Sequence, residues 1–178
     1  AGITGPDNVQ LEADPYFHYH SIRQMTDNIA TNDCWLSNNP LALPNNPPSA
    51  DAGNDYIIPK GTAYILKGNA SDTDTSDNLT FCWEGTDNGP VPYFDFGPTY
   101  TIGSMARSLP PTSSPDRYIP NLPKIASSGV TETDPDINSA WETVSIVGRT
   151  LNYALTVRDR APTAVGLNGQ TSYDTIQI

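Results

Sequence analysis

The segment from Gly61 to Glu84 constrains the fold of this chain more than any other stretch. Its first part, GTAYILK, alternates with a period of two, which is typical of a β-strand with two different faces. Its last part does the same, with Leu79, Phe81 and Trp83 on one face. The polar run between the two parts is rich in aspartate, serine and threonine, which is the composition of a loop. The segment therefore predicts two strands joined by an acidic loop.

Other short alternating runs indicate that the fold is all-β. The longest is Leu151 to Val157, and shorter ones lie near 55–59, 100–102, 117–119 and 173–178. The 17 prolines and 13 glycines are scattered between such runs, which favours strands over helices. An inward tryptophan one loop after an alternating strand is typical of the third strand of an immunoglobulin-like sandwich. We therefore expect an immunoglobulin-like β-sandwich over residues 47–178.

The first 46 residues have a different character. Ser21 to Gln24 has the form of a capping box, and Ile22, Met25 and Ile29 follow at helical spacing. These residues predict one short helix at about 22–30. The sequence NNPLALPNNPP at 38–48 disfavours both helices and central strands, so we expect a linker and a domain boundary near residue 46.

Charge and hydropathy limit the classes of function. The net charge is −11 and the pI about 4.2, so phosphate backbones and anionic lipid surfaces should be repelled. No run of apolar residues is long enough to predict a membrane span. The chain begins without methionine and stops within a predicted strand, and we interpret it as a fragment of a longer protein.

Two sets of residues carry a resemblance to a known family. The first is AGITGPDNVQLEADPYFHYHSIRQM at the N-terminus. The second comprises, in order, PSADAG at 48–53, GNASDTDTSDNLTFCWE at 68–84, RYIPNL at 117–122, Trp141, RTLNY at 149–153 and VRD at 157–159. Together they resemble bacterial secreted zinc metallopeptidases of the reprolysin-like metzincin type. In those proteins an Ig-like or PKD-like domain follows the catalytic domain.

The resemblance implies a non-catalytic role for this chain. Residues 1–46 would be the end of a catalytic domain with a linker, and residues 47–178 a PKD-like or cadherin-like accessory domain. Such peptidases hold zinc with HExxHxxGxxH. That motif is absent here, so zinc would be bound only upstream and no catalytic residue is predicted in this fragment. The expected location is secreted, extracellular or on a bacterial cell surface.

The same resemblance supplies the expected partners. The domain would act as a spacer, a stabiliser or a module that binds a protein or polysaccharide substrate or a cell surface, next to its own catalytic domain and as a monomer. Aromatic side chains in the irregular region 86–140 would form the contact face. The main alternative is a calcium-stabilised adhesion or carbohydrate-binding module unrelated to proteolysis, and a stand-alone hydrolase is a third.

An acidic loop is the candidate metal site. Asp72, Asp74 and Asp77 resemble DxDxxD-like calcium loops of some PKD and cadherin-like domains, and Asp159 could add a ligand if the loop folds back. Calcium takes six to eight oxygen ligands, which alternating aspartates can supply. The spacing departs from an EF-hand. The alternative is that these aspartates form Asx-turns and keep the loop soluble.

Cys34 and Cys82 are the only cysteines. An even number of cysteines in an exported chain indicates a disulfide. In the resembled family a residue near Thr4 is often a cysteine that could pair with one near 34; because Thr4 is threonine here, Cys82 becomes the better partner for Cys34. Two free buried thiols are the alternative.

Three further patterns have weaker functional interpretations. His18 and His20 could place two imidazoles on one side of an extended segment, although packing or surface histidines are the commoner outcome. Glu132, Asp134 and Asp136 are expected to form a solvated loop rather than a glycosidase pair. The acceptor patterns NAS at 69–71 and NLT at 78–80 are interpreted as chance matches.

Overall fold

The computed structural model describes residues 7–32, 45–159 and 169–178, and it is rich in short strands. The helices are α1 (Tyr19–Thr31) and α2 (Leu122–Ser128). The strands are β1 (Ser49–Asp51), β2 (Tyr64–Lys67), β3 (Asn69–Ser71), β4 (Thr80–Gly85), β5 (Asp116–Ile119), β6 (Asn152–Arg158) and β7 (Thr171–Gln177). A 3-10 turn spans Tyr93–Asp95. No helix in these three ranges is long and apolar enough to cross a bilayer.

The strands form three small antiparallel sheets. The largest has the order β4-β6-β7, and it pairs Trp83 with Leu155 and Thr80 with Arg158. The other two are the pairs β1-β3 and β2-β5. This architecture confirms a small β-rich fold, with the predicted strands before and after the acidic loop and the predicted strand at 151–157 all present.

One face of the largest sheet forms the main core. Tyr153, Leu155 and Val157 alternate along β6 and are almost completely buried, as the period of two predicts. Trp83 packs in the same cluster and donates its indole N–H to the carbonyl oxygen of Pro115 at 2.8 Å. The Tyr64 and Tyr153 hydroxyls lie 2.6 Å apart, so each buried hydroxyl group has a partner.

The opposite face of this sheet is also buried, because the N-terminal segment lies across it. Cys82, Glu84, Thr156 and Arg158 alternate with the core residues and are each at most 9% exposed. The Arg158 guanidinium donates from Nη2 to the carbonyl oxygen of Phe17 at 2.8 Å. Both faces of β4 and β6 are therefore covered, one by the core and one by a segment that is distant in sequence.

The N-terminal helix differs from its prediction in where it begins. It starts at Tyr19 and its N-cap is His18, so the predicted capping box at Ser21 is wrong. Of its apolar residues Ile22 is buried, whereas Met25 and Ile29 are 41% and 56% exposed. Only the first part of the helix, with Tyr19 and Ile22, is buried. The predicted apolar stripe therefore continues beyond the buried part of the helix.

The region predicted to be irregular contains more structure than expected. It contains helix α2, which was not predicted, and β5, which confirms the strand predicted near 117–119. The strands predicted near 100–102 and, before this region, near 55–59 are absent. Trp141, Phe96 and Met105 form a second small buried cluster. Glu142 lies buried between Arg117 and Asn121. The region therefore folds around its own apolar cluster and a buried ion pair. The predicted linker at 38–48 falls largely outside the described residues.

Candidate metal centre and the interface around Glu84

Three of the four predicted calcium ligands lie close together at one end of the largest sheet. Asp72 and Asp77 belong to the loop between β3 and β4, and Asp159 directly follows β6. Because β4 and β6 are antiparallel with Thr80 opposite Arg158, the start of one strand meets the end of the other. One carboxylate oxygen from each aspartate lies within 4.8 Å of the others.

The hydrogen bonds leave two carboxylate oxygens of this cluster unused. Asp72 accepts the backbone N–H of Asp74 through Oδ1 at 2.8 Å. Asp159 accepts the backbone N–H of Gln170 through Oδ1 at 2.6 Å and the side-chain amide of Asn45 through Oδ2 at 2.8 Å. The Oδ2 atoms of Asp72 and Asp77 are inaccessible to solvent and have no hydrogen-bond partner in the described structure. Buried carboxylate oxygens without a partner are costly unless a cation neutralises them.

The negative charges of these three aspartates are not balanced by a positively charged side chain among the described residues. Desolvation, followed by the charges of Asp159, Asp72 and Asp74, raises the pKa of Asp77 above its usual value. Across residues 7–32, 45–159 and 169–178, no lysine or arginine forms an ion pair with these carboxylates. A divalent cation held by oxygen ligands would turn this repulsion into attraction.

Asp74 occupies a different position from the one predicted. Its carboxylate accepts the backbone N–H of Asn46 at 2.6 Å and the side-chain amide of the same residue at 3.2 Å. It lies outside the group of three converging carboxylates. Asp74 therefore connects the acidic loop to the segment before β1.

Glu84 forms the principal contact between the N-terminal segment and the sheet. Its carboxylate, on the outer face of β4, lies 2.6 Å from His18 Nδ1 through Oε1 and accepts the Tyr19 backbone N–H at 2.6 Å through Oε2. The hydrogen bond to Glu84 raises the pKa of His18. Burial alone would raise the pKa of Glu84, but the bonds from His18 and Tyr19 outweigh it and lower that pKa.

A polar groove lies beside this contact, between α1 and the largest sheet. Its volume is about 540 Å³, and α1 forms one wall through Tyr19, Arg23 and Gln24. Asn88, Asn152 and Gln177 contribute side-chain amides from the sheet side; its other lining residues are His20, Asp27, Thr86, Asp87, Tyr153, Thr175 and Ile176. The groove exists only because the N-terminal helix is docked.

The predicted cysteine pair is only partly within the described residues. Cys82 is buried and forms no disulfide within the described residues; its Sγ lies 3.3 Å from the Leu109 carbonyl oxygen, on the face that the N-terminal segment covers. Burial, followed by the charge of Glu84, raises the pKa of this thiol. Cys34 lies outside the described residues. The disulfide between Cys34 and Cys82 stays a prediction.

The remaining sequence candidates are not brought together. His18 contacts Glu84, whereas the His20 ring packs at 5.2 Å against Tyr19. Glu132 forms an ion pair with Lys124, which lowers the pKa of Glu132. Neither histidine, nor Glu132, belongs to a group of potential metal ligands among the described residues.

Sequence reasoning missed Glu84, Asn45 and Gln170. Their partners are 65, 114 and 11 residues away, and no local pattern signals such contacts. Comparison of the chain with known protein families, curated proteins and solved structures finds no match. What can be inferred of function comes from the residues themselves, above all from the three converging carboxylates.

Proposed function

We propose that this chain is a non-catalytic extracellular module whose β-rich fold is stabilised by a bound calcium ion. The observation that carries the proposal is the convergence of Asp72, Asp77 and Asp159 within 4.8 Å, with two solvent-inaccessible carboxylate oxygens that find no hydrogen-bond partner among the described residues. A cation there would join the β3–β4 loop to the end of β6. It would stabilise the folded state because the unfolded chain does not hold the three ligands together.

The chemistry of the ligands favours calcium over other divalent metals. All three side chains offer oxygen, which suits calcium and magnesium, whereas zinc and copper favour imidazole and thiolate. Two ligands come from an irregular loop, and calcium accepts the variable geometry and higher coordination number that such a loop provides. Backbone carbonyl oxygens and water would complete the shell.

The docked N-terminal segment supports a role beside another domain. The sequence of residues 1–25 resembles the end of a metallopeptidase catalytic domain, and Glu84 fastens the helix that begins there to the sheet through His18 and Tyr19. In a longer zinc metallopeptidase, a module attached in this way would serve as a rigid accessory domain that spaces or stabilises the catalytic domain. We propose an immunoglobulin-like sandwich as its finer architecture, because Trp83 lies in the core opposite Leu155.

The polar groove favours a second candidate function, the binding of a neutral saccharide. Its volume of about 540 Å³ is within the range of ligand sites. Gln24, Asn88 and Gln177 line it with amides suited to sugar hydroxyls. Titration of ¹⁵N-labelled protein with cellohexaose, xylohexaose and chitotriose should shift resonances of these residues. If none of the three sugars shifts them, this second candidate is abandoned.

Calcium binding is tested by calorimetry and thermal unfolding of the whole chain. We expect a binding heat with CaCl₂, and a calcium concentration one hundred times Kd should add about 2.7 kcal/mol to the free energy of unfolding relative to EDTA. Asp72→Asn and Asp77→Asn should lose this response, whereas Asp95→Asn, an exposed aspartate far from the cluster in sequence, should keep it. A wild-type chain that gives neither heat nor thermal shift refutes the proposal.

A further inference from the structure

We propose that the cation also fastens the segment before β1 to the end of the sheet, so that calcium controls how firmly Asn45 and Asn46 are held. This inference rests on the calcium site proposed above and adds a mechanical role to it. Asn45 and Asn46 precede Pro47 and lie between the N-terminal helix and the strands. Their attachment therefore bears on the orientation of whatever precedes them.

Asn45 is bound directly to a residue of the cation cluster. Its side-chain amide donates to Oδ2 of Asp159 at 2.8 Å, and its own carbonyl oxygen accepts the Gln170 side-chain amide. Asn45 is 9% exposed and Asp159 3% exposed. Because the Asn45 amide hydrogen-bonds to this carboxylate, movement of Asp159 would weaken the attachment of Asn45.

Asn46 is bound to the acidic loop itself. Its backbone N–H and side-chain amide both donate to Asp74 Oδ2, at 2.6 and 3.2 Å. Asp74 lies between Asp72 and Asp77 and is fixed to both, because its N–H donates to Asp72 Oδ1 and its carbonyl oxygen accepts the N–H of Asp77. The position of Asp74 is thus set by the two loop residues that would hold the ion.

These contacts couple the ion to the segment in both directions. Without a cation, the carboxylates of Asp72, Asp77 and Asp159 repel one another, and this repulsion weakens the attachment of the loop to the β6 end. With a cation, the Asp159 carboxylate that binds Asn45 and the loop that carries Asp74 are fixed at the same time. By linkage, a segment held more firmly must in turn raise the affinity for the ion.

A second attachment of the N-terminal part supplies an internal control. The contact of Glu84 with Tyr19 lies on the outer face of β4 and uses none of the cluster residues. Calcium should therefore protect the Asn46 amide and leave the Tyr19 amide little changed. The two amides are compared under conditions where each exchanges through local opening, because the added free energy of unfolding protects alike every amide that exchanges only through global unfolding.

Hydrogen exchange measured by NMR on the whole chain, in CaCl₂ and in EDTA, tests the inference. We expect the Asn46 amide to exchange at least about tenfold more slowly with calcium, while the Tyr19 amide changes by less than about twofold. If calorimetry shows calcium binding and the amides of residues 72–77 become protected but Asn46 does not, the inference is wrong and the calcium site stands. If no binding heat appears, the calcium site itself is wrong.

Because the coupling between the segment and the ion is reciprocal, the calcium affinity provides a second, independent test. Asn45→Ala should weaken calcium binding several-fold by calorimetry, because it removes a hydrogen bond that holds the Asp159 carboxylate in position. Asn54→Ala, an exposed asparagine outside these contacts, is the matched control and should bind as wild type. Circular dichroism confirms that both variants are folded. An unchanged calcium affinity in folded Asn45→Ala overturns the coupling.

Discussion

Glu84 Oε2 accepts the backbone N–H of Tyr19 at 2.6 Å, across 65 residues of sequence. Tyr19 is the first residue of α1, whose N-cap His18 provides no side-chain cap of its own. The buried carboxylate on β4 therefore caps the helix from another part of the chain. Its negative charge lies at the positive end of the helix dipole, and it satisfies an N–H that has no partner within the helix.

Glu84→Gln should loosen the N-terminal helix. The amide oxygen can still accept the Tyr19 N–H, but glutamine lacks the negative charge that holds protonated His18 and lies at the start of the helix. We expect a loss of about 1–3 kcal/mol in the free energy of unfolding. Urea denaturation followed by circular dichroism measures it. Glu12→Gln, at an exposed position, should change stability by only about 0.5 kcal/mol or less.

The same contact should make stability depend on pH. The Glu84 pKa is lowered from 4.5, so its contribution is present above pH 4.5 and is lost as the pH falls through the folded pKa. The His18 pKa is raised from 6.5, so its contribution is complete below pH 6.5 and is lost as the pH rises through the folded pKa. Asp14 and Arg158 modulate the His18 charge in opposite directions.

This contact therefore contributes most between about pH 4.5 and 6.5. Urea midpoints measured from about pH 4 to about pH 8.5 should decline on the alkaline side of this window. His18→Ala should lower stability within the window and flatten the alkaline decline. A variant that keeps the wild-type decline would show that another group is responsible.

The parts of the fold that follow from local pattern were predictable. Alternation alone located the strands around Trp83 and Leu155, because one face of β4 and β6 meets the apolar core and the other carries more polar side chains under the N-terminal segment. The helix start was mispredicted because its cap comes from Glu84, which local sequence does not reveal. The second apolar cluster around Trp141 was missed for the same reason: its members lie in loops, where side chains follow no fixed period.

The candidate site was predictable in composition and only partly in geometry. The acidic loop pointed to Asp72 and Asp77, and the end of a neighbouring strand pointed to Asp159. Strand register decides which loop residues face Asp159, and a single sequence does not give that register. Asp74 therefore turned out to hold Asn46 instead of joining the cluster.

Removal of the Glu142 side chain should be among the most destabilising changes in the chain. Its carboxylate is buried, lies 2.7 Å from Arg117 Nη2, and accepts the backbone N–H and side-chain amide of Asn121 at 2.8 and 2.9 Å. Glu142→Ala leaves the buried Arg117 charge unpaired, which costs about 3–5 kcal/mol. Chemical denaturation measures this loss. A cost below about 1 kcal/mol would show that water replaces the carboxylate.

The Cys82 thiol should be unreactive in the folded protein. It is 2% exposed. Burial raises its pKa, so little thiolate is available to an alkylating reagent. Iodoacetamide at about pH 8 should label Cys82 only after denaturation, as peptide mass spectrometry would show. A denatured, unreduced chain in which Cys82 remains unlabelled and linked to Cys34 would establish the predicted disulfide instead.

Asp77→Asn should have opposite effects with and without calcium. In EDTA the substitution removes one of three mutually repelling carboxylates; desolvation, together with this repulsion, raises the pKa of Asp77. The variant should therefore unfold at a higher temperature than wild type in EDTA. In millimolar CaCl₂ it has lost a charged ligand, so it should unfold at a lower temperature than wild type. Because Asn and Asp have nearly the same size, loss of packing cannot make the variant more stable than wild type in EDTA and less stable than wild type in CaCl₂. If the variant is less stable in both buffers, Asp77 serves the loop structure and not a metal.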